Sequence, residues 1–136
     1  MKKKRIFIDM SATILHHGHI RLINKAKKYG DVIIGLTKDR HIKRYKGYDP
    51  EIRFKFRKEI LENIRNVDKV VPADFYIDDL FLKKYKIDYL VHGSDNLNKI
   101  DKQKLKVFPR TQNISSTLIR KKASRNLKMV NRNKQL

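Results

Sequence analysis

A chain of 136 residues, 40% of them hydrophobic, is long enough to bury one core, so we expect a single folded domain. The absence of cysteine excludes disulfides, thiolate chemistry and zinc–thiolate sites, and no apolar run approaches the ~20 residues of a membrane helix. The formal net charge of +20 is compatible with a nucleic-acid partner or a polyphosphate substrate, but charge alone is too weak a signal to make nucleic-acid binding the expected main function.

The first half of the chain predicts two strands and two helices. Short runs of apolar, mostly β-branched residues are typical of buried parallel strands, and apolar residues spaced three and four apart indicate helices. The polar segment that contains Gly47 and Pro50 predicts a loop. In chain order we expect a strand at 5–9, a helix at 19–29, a strand at 32–36, a loop at 38–50 and a helix at 51–64.

The second half continues the alternation, with strands at 67–71, 87–91 and 104–108, a helix at 77–85 and a last helix from Ser115. Pro72 is expected to end the first of these strands. The alternation predicts an α/β domain, a doubly wound sheet of about five parallel strands with helices on both faces. In such sheets ligands bind beyond the carboxyl ends of the strands.

The two ends of the chain are basic. Residues 1–5 resemble the start of a signal peptide, but the apolar run at 6–8 is too short to continue one, so a soluble, cytoplasmic protein is expected. Residues 121–136 contain six basic residues and no acidic one. We predict one folded domain over 1–124 and a solvated basic tail over 125–136.

A histidine cluster, His16, His17, Gly18 and His19, follows the first predicted strand and opens the first helix. The free N–H groups of a helix N-terminus bind anions, and a glycine lets a phosphate approach closely. His16 and His19 are three residues apart, so they share one face of a turn. The alternatives are a metal site, for which Asp9 is the one nearby carboxylate, or an exposed cluster without function.

Two further segments carry groups that bind phosphate. The loop after the second strand contains Lys43, Arg44 and Lys46, and a lysine here could reach a β- or γ-phosphate, although Lys43 and Arg44 fit a solvated surface better. Farther along, Ser115–Thr117 opens a helix between Arg110 and Arg120. Hydroxyls at that position are usual N-caps, and with two flanking arginines they also form a phosphate cradle. Arg57 and Arg65 are interpreted as surface residues.

These motifs together resemble those of the cytidylyltransferase-like nucleotidyltransferases. The segment 16–19 matches H-x-G-H, and 110–117 matches R-T-E-G-I-S-S/T-T with a basic residue following at Arg120. Residues 64–70 are similar to an R-Y-V-D-E-V stretch, and 91–95 to a strand-terminal G-D-D. The similarity covers residues 5–120 in the correct order, and the two longer motifs on an α/β pattern make a specific combination.

The resemblance implies a Rossmann-like fold, a homodimer, Mg²⁺ bound with the NTP, and transfer of CMP from CTP to a phosphate- or phosphonate-bearing acceptor with release of pyrophosphate. The members most similar in motif act on glycerol 3-phosphate, phosphoethanolamine, phosphocholine or small phosphonates. An adenylyltransferase that uses ATP, and a weakened nucleotide- or nucleic-acid-binding protein, are the alternatives. A membrane span and a nucleic-acid partner are not expected.

The resemblance also assigns roles to residues. His16 and His19 would donate hydrogen bonds to the triphosphate, Lys46 would bind the outer phosphates, and Arg110 would hold them from the other side. The catalytic set implied is His16, His19, Lys46, Arg110, Ser115 and Ser116. The nucleotide-binding set implied is Met10, Ser11, Gly18, Gly93, Asp95, Arg110, Thr111, Ile114 and Arg120, and no protein metal ligand is implied.

The chain departs from the family pattern at three places. Met10–Thr13 stands where the family has G-T-F-D, so that Thr13 replaces an aspartate near the phosphates. Ser94 replaces the first aspartate of G-D-D, and Gln112–Asn113 replaces E-G. The acceptor is therefore left open by the sequence.

Overall fold

The computed structural model describes residues 2–93 and 96–134 and forms one parallel sheet with helices on both faces. The strands are β1 (Arg5–Met10), β2 (Asp31–Thr37), β3 (Lys69–Ala73), β4 (Tyr89–His92) and β5 (Leu105–Val107). The α-helices are α1 (His17–Lys27), α2 (Asp39–Lys46), α3 (Phe54–Glu62), α4 (Asp79–Lys84) and α5 (Ser116–Lys134), and a short 3₁₀ turn covers Lys102–Lys104.

The strand order β3-β2-β1-β4-β5 places the change of direction between β1 and β4. The chain builds outward from β1 through β2 to β3, then returns to the other side of β1 as β4 and β5. Loops leave the carboxyl ends of β1 and β4 in opposite directions, which opens a crevice at that edge. The predicted fold, a Rossmann-like doubly wound sheet of five parallel strands, is confirmed.

Alternate residues of the central strands enter two separate cores. Ile6 and Ile8 pack on one face with Ile23 of α1 and Leu61 of α3. On the other face, a second core forms around Leu82 of α4 and the remaining inward side chains of the strands. Strands that are buried on both faces need apolar residues at every position, which is why β1 and β2 read as continuous apolar runs.

The element α2 was predicted as a loop, and that prediction is wrong. Its eight residues contain a single fully buried side chain, Ile42, and the others are mostly charged. One apolar anchor gives no periodic pattern, so the helix follows from its docking and not from its sequence. Gly47 ends α2 in the left-handed conformation, at φ 81°, which a glycine adopts without steric cost.

Two further differences from the prediction concern Pro72 and the division at 124. Pro72 lies within β3 and does not end it, because β3 is an edge strand, where a residue without an N–H removes no ladder bond. The helix α5 runs without a break across the predicted division at 124, although all its residues from 121 to 134 are exposed. The division into a domain and a tail stays a prediction. No helix in the described part of the chain is long and apolar enough to span a bilayer.

Candidate functional site

A cleft of about 650 Å³ opens at the carboxyl edge of the sheet. The ends of β1 and β4 form its floor, and the first turns of α1 and α5 form its walls. Asp95 lies outside the described residues. All the other predicted site residues line this one cleft: Met10, Ser11, His16, Gly18, His19, Lys46, Gly93, Arg110, Thr111, Ile114, Ser115, Ser116 and Arg120.

The histidine turn at the start of α1 is held by its own backbone. His16 is the N-cap of the helix, and its Nδ1 accepts a hydrogen bond from Gly18 N at 3.0 Å. The backbone N–H of His16 in turn donates to Nδ1 of His19 at 3.1 Å. This is a capping box in which two imidazoles replace the usual hydroxyl and carboxylate. The two rings lie 4.0 Å apart between centroids.

The bonds of this turn determine which ring nitrogen carries the proton. Because Nδ1 of His16 and Nδ1 of His19 both accept from backbone N–H groups, a neutral ring must carry its proton on Nε2. Burial, together with the charges of His16, Lys46 and Arg110, lowers the pKa of His19 to about 4. Burial and the neighbouring His17 also lower the pKa of His16. At neutral pH both histidines therefore offer an uncharged Nε2–H donor.

Gly18 is required by the histidine turn itself. A Cβ at this position would lie 2.8 Å from Cε1 and 2.9 Å from Nδ1 of His16, so a larger residue would displace the imidazole from the Gly18 N–H. A side chain at position 18 would thus first collide with His16. The sequence had suggested a different reason for the glycine, the close approach of a phosphate. The same added Cβ would lie 3.3 Å from Ile114 Cγ2, so the segment before α5 also limits the space at Gly18.

Lys46 and Arg110 reach the same part of the cleft from opposite sides. Lys46 is in the last turn of α2, and Arg110 follows β5. Both cations contribute to lowering the pKa of His19, which places their charges near its imidazole. Lys43 and Arg44 do not line the cleft, in agreement with the solvated role expected for them.

The first turn of α5 is the opposite wall. Ser115 Oγ accepts a hydrogen bond from Leu118 N at 3.1 Å, which is the predicted N-cap. Ser116 Oγ donates to the carbonyl of Ile14 at 3.1 Å, so this hydroxyl joins α5 to the turn after β1. Asn113, just before, has φ 63°, a left-handed conformation that asparagine tolerates better than most residues.

Arg120 lines the cleft and is engaged by other protein groups. Its guanidinium forms a two-armed ion pair with Glu51 through Nε and Nη2, the Nη2 arm measuring 2.8 Å. Nη2 also donates to Thr13 Oγ1 at 2.6 Å. The ion pair raises the pKa of Arg120 and lowers that of Glu51. Neither Glu51 nor Thr13 was predicted to contact this arginine.

The cleft floor contains a polar group that the sequence analysis did not assign to the site. Asp9 ends on the cleft side of β1, and its Oδ2 accepts from Asn98 Nδ2 at 3.2 Å and lies 3.5 Å from His92 Nε2. The Asp9 side chain is 10% exposed. One sequence feature could have assigned them to the site: Asp9 and His92 are polar residues at the carboxyl ends of two predicted strands.

Arg57 was interpreted as a surface residue, and this interpretation is wrong. Its side chain is 1% exposed. It donates to the carbonyls of Ser11 at 2.6 Å and Thr37 at 3.0 Å, and Asp39 neutralises it. Arg57 thereby fixes the carboxyl ends of β1 and β2, on which the histidine turn depends. A single arginine in a helical pattern gives no sign of this role.

An aromatic cluster lies at one side of the cleft. Tyr45 stacks on Phe75 with 4.8 Å between ring centroids, and Tyr76 meets both rings edge-on at 5.3 and 5.0 Å. Phe75 and Tyr76 line the cleft directly. The sequence analysis missed this cluster because Tyr45 belongs to the unpredicted helix α2.

The described residues contain no group of three or more His, Asp or Glu side chains arranged to hold a metal ion.

Comparisons with known proteins agree with this geometry. A family model described as cytidylyltransferase-like matches residues 11–122. The chain is 35% identical over 130 residues to the glycerol-3-phosphate cytidylyltransferase of Staphylococcus aureus, covering 86% of this chain and 92% of that one. It is 33% identical over 99 residues to the ethanolamine-phosphate cytidylyltransferase of Mus musculus, covering 71% of this chain but only 24% of that protein.

A solved structure shows the same fold. The lipopolysaccharide core biosynthesis protein of Thermoplasma volcanium superposes with a TM-score of 0.65 at 20% sequence identity, over 83% of this chain and 100% of that chain. At this level of identity the likeness concerns the arrangement of strands and helices.

Proposed function

The chain belongs to the cytidylyltransferase-like family, and on this premise we propose that it transfers CMP from CTP to a small phosphate- or phosphonate-bearing acceptor. An oxygen of the acceptor forms a bond to the α-phosphorus of CTP, the bond from that phosphorus to the bridging oxygen of the β-phosphate breaks, and pyrophosphate leaves. The acceptor oxygen is already an anion, so it needs positioning and charge neutralisation rather than a general base.

The observation that carries this proposal is the pair of backbone hydrogen bonds that orient His16 and His19 at the start of α1. His16 and His19 present neutral Nε2–H groups, because their Nδ1 atoms accept from the backbone and their pKa values are lowered. Neutral imidazoles cannot hold the acceptor by charge, but they can donate hydrogen bonds to an oxygen on which negative charge develops. Donors that are fixed before the substrate arrives require no reorganisation during the reaction.

The cations of the cleft would bind the triphosphate. Lys46 and Arg110 both act on His19 electrostatically, so a triphosphate that contacts the His19 ring would also meet these two charges. Arg120 and the hydroxyls of Ser115 and Ser116 lie on the opposite wall. Mg²⁺ bound to the phosphates would screen their negative charge, and the protein residues would hold the ion through those phosphates.

The other end of the cleft would take the acceptor. Its floor carries Asp9 with His92 and Asn98, and its side carries Phe75 and Tyr76. Among the described residues that line the cleft, Asp9 is the one acidic side chain. A carboxylate there would accept hydrogen bonds from hydroxyl or ammonium groups of an acceptor whose phosphate points toward the cations.

A pyrophosphate-release assay tests the proposal. Purified protein with Mg²⁺ would be given each of the four NTPs with glycerol 3-phosphate, phosphoethanolamine, phosphocholine or a small phosphonate. We expect release that requires CTP, an acceptor and Mg²⁺ together. Release with ATP alone among the NTPs would show an adenylyltransferase instead, and no release in any combination would refute nucleotidyl transfer. Light scattering on the same sample tests the expected homodimer.

A further inference from the structure

Arg120 is held in one orientation by three residues that come from two distant parts of the chain. Glu51 accepts from Nε and from Nη2, the latter at 2.8 Å, and both oxygens of the carboxylate are used. Thr13 Oγ1 takes a further bond from Nη2 at 2.6 Å. The ring of Tyr48 lies under the guanidinium, with its centroid 4.3 Å from Cζ.

This arrangement fixes the plane of the guanidinium as well as its position. A carboxylate that accepts two parallel N–H bonds from one edge of an arginine removes rotation about its last torsion angles, and an aromatic ring against the face removes tilt. The three hydrogen bonds use Nε and Nη2. Because these three bonds do not use Nη1, this nitrogen can donate to a ligand in the cleft, which Arg120 lines.

The ion pair also joins α5 to the segment between α2 and α3. Glu51 and Tyr48 belong to the segment between α2 and α3, whereas Arg120 is in the first turns of α5, 69 residues later. The same segment begins directly after Lys46, which lines the cleft. A bond between Glu51 and Arg120 therefore sets the distance between two cations that the proposed function assigns to the triphosphate.

We propose that Glu51 is a positioning residue for nucleotide binding: it orients Arg120 toward the triphosphate and holds the Lys46 segment against α5. The inference rests on the proposed function for the identity of the ligand, while the contact between Glu51 and Arg120 stands without it. The opposite role would be competition, in which Glu51 occupies an arginine that the phosphates need. The two roles predict opposite effects on affinity, so one measurement separates them.

The experiment compares Glu51→Gln with Asp49→Asn. Both changes remove one negative charge from the same segment, but the side chain of Asp49 is 82% exposed and pairs with Lys43, at 3.4 Å. Calorimetry with CTP and Mg²⁺ measures affinity, and steady-state assays separate KM for CTP from kcat. For Glu51→Gln we expect CTP binding to weaken roughly fivefold, the effect of losing one partly exposed ion pair, with KM raised by a similar factor. For Asp49→Asn we expect no change.

A signal from Arg120 itself gives a readout that needs no substrate. A guanidinium Nε–H held by a carboxylate exchanges slowly with water, so we expect a resolved Nε–H resonance in the NMR spectrum of the free protein. Glu51→Gln should remove this resonance and Asp49→Asn should keep it, at unchanged melting temperature. Arg120→Lys assigns the signal.

A compensating change sharpens the test. The hydroxyl of Thr13 already lies 2.6 Å from Nη2, so Thr13→Asp would place a carboxylate oxygen beside the same guanidinium. In the double variant Thr13→Asp/Glu51→Gln we expect CTP affinity within about twofold of wild type. If a carboxylate at position 13 restores CTP affinity, Arg120 is oriented by the charge of its partner and not by the α2–α3 segment itself.

Equal CTP affinity for Glu51→Gln and Asp49→Asn would overturn the proposal, and tighter binding by Glu51→Gln would establish competition in its place. Failure of the proposed function gives a different pattern: the wild-type chain would turn over no NTP, yet the Arg120 resonance would still depend on Glu51. A fall in melting temperature in Glu51→Gln that Thr13→Asp does not reverse would assign Glu51 a merely structural role.

Discussion

The two helix N-termini that flank the cleft are built in different ways. At the start of α1, the hydrogen bonds that fix His16 and His19 join residues two and three positions apart. At the start of α5, Ser116 bonds to Ile14 across 102 positions and Arg120 to Thr13 across 107. The first wall is organised by its own sequence, and the second depends on the whole fold being assembled.

The two walls also differ in charge. The histidine turn is neutral at physiological pH, because burial and nearby cations lower the pKa of His19 to about 4. The α5 wall carries a permanent cation in Arg120. Neutral donors strengthen their bonds as charge develops on a phosphate oxygen, whereas permanent cations attract the triphosphate from the outset. We therefore expect changes at α1 to affect turnover and changes at α5 to affect affinity.

The largest effect is expected at His19. His19→Ala removes an Nε2–H donor and also the acceptor for the His16 N–H, so we expect kcat to fall about 100- to 1,000-fold, the usual loss for one donor to a developing charge. KM for CTP should change by less. The assay is pyrophosphate release under saturating CTP.

His17→Ala is the matched control for this change. His17 is exposed and does not line the cleft, so its kcat should stay within about twofold of wild type. A fall in kcat in His17→Ala as large as that in His19→Ala would mean that any change in this turn disrupts it. The effect of His19→Ala could then not be assigned to the loss of the Nε2–H donor.

The pH dependence of stability tests the same histidine without substrate. The folded-state pKa of His19, about 4, is below the unfolded value of 6.5, so the unfolded chain binds more protons between these values. Stability therefore falls as the pH drops through this window and is unaffected above it. Between pH 7.5 and pH 5 we expect His19 to contribute a loss of about 2 kcal/mol, from its difference in proton uptake at pH 5, and His16, whose pKa is also lowered, adds to this loss.

Urea unfolding at the two pH values measures this loss. His19→Gln should reduce it, because glutamine does not titrate and its side-chain oxygen can still accept from the His16 N–H. The carboxylates with lowered pKa values, Glu51, Asp68 and Asp74, protonate mainly below pH 5 and contribute little in this range. An equal loss in His19→Gln would assign the pH dependence to other groups.

The contrast between the walls also separates what the sequence could predict from what it could not. The histidine turn and the alternating strands and helices were predicted correctly, because their signals lie within a few residues. Arg57 and Glu51 were not identified, because each acts on partners that lie far along the chain. The helix α2 was missed for a different reason. It has one buried residue, Ile42, so its sequence shows no hydrophobic periodicity.

The contacts of Arg120 with Glu51 and Thr13 show most clearly what could not be predicted from the sequence. The segment 110–120 matched the family pattern, so the sequence could indicate that Arg120 belongs to the site. It could not indicate that Glu51 and Thr13 would hold it, because a glutamate at the start of a predicted helix is usually a solvated surface residue. A resemblance places residues in a site, and tertiary contacts determine what each of them is free to bind.

A smaller effect is expected at Lys46. Lys46→Ala removes one cation from the cleft, and we expect KM for CTP to rise about tenfold with kcat little changed, as for loss of one charge-assisted bond to a phosphate. Lys43→Ala, in the preceding turn of α2 and 59% exposed, is the control and should leave KM unchanged. If KM rose equally in both variants, the general positive field of α2 rather than a contact from Lys46 would be responsible.

The smallest effects are expected at the two serines that begin α5, and they differ in kind. Ser115→Ala removes the N-cap bond from Leu118 N, so stability should fall by about 1 kcal/mol. Ser116→Ala removes the bond to Ile14, which joins α5 to the turn after β1, so we expect a comparable loss of stability together with two- to threefold weaker CTP binding. Ser124→Ala, the same substitution at an exposed position of α5 that does not line the cleft, should change neither quantity. Urea unfolding and calorimetry on the three variants decide whether the α5 wall depends on its helix cap or on its long-range bond. If Ser115→Ala weakened CTP binding as much as Ser116→Ala, the cap would be sufficient, and the two walls of the cleft would be organised in the same local way.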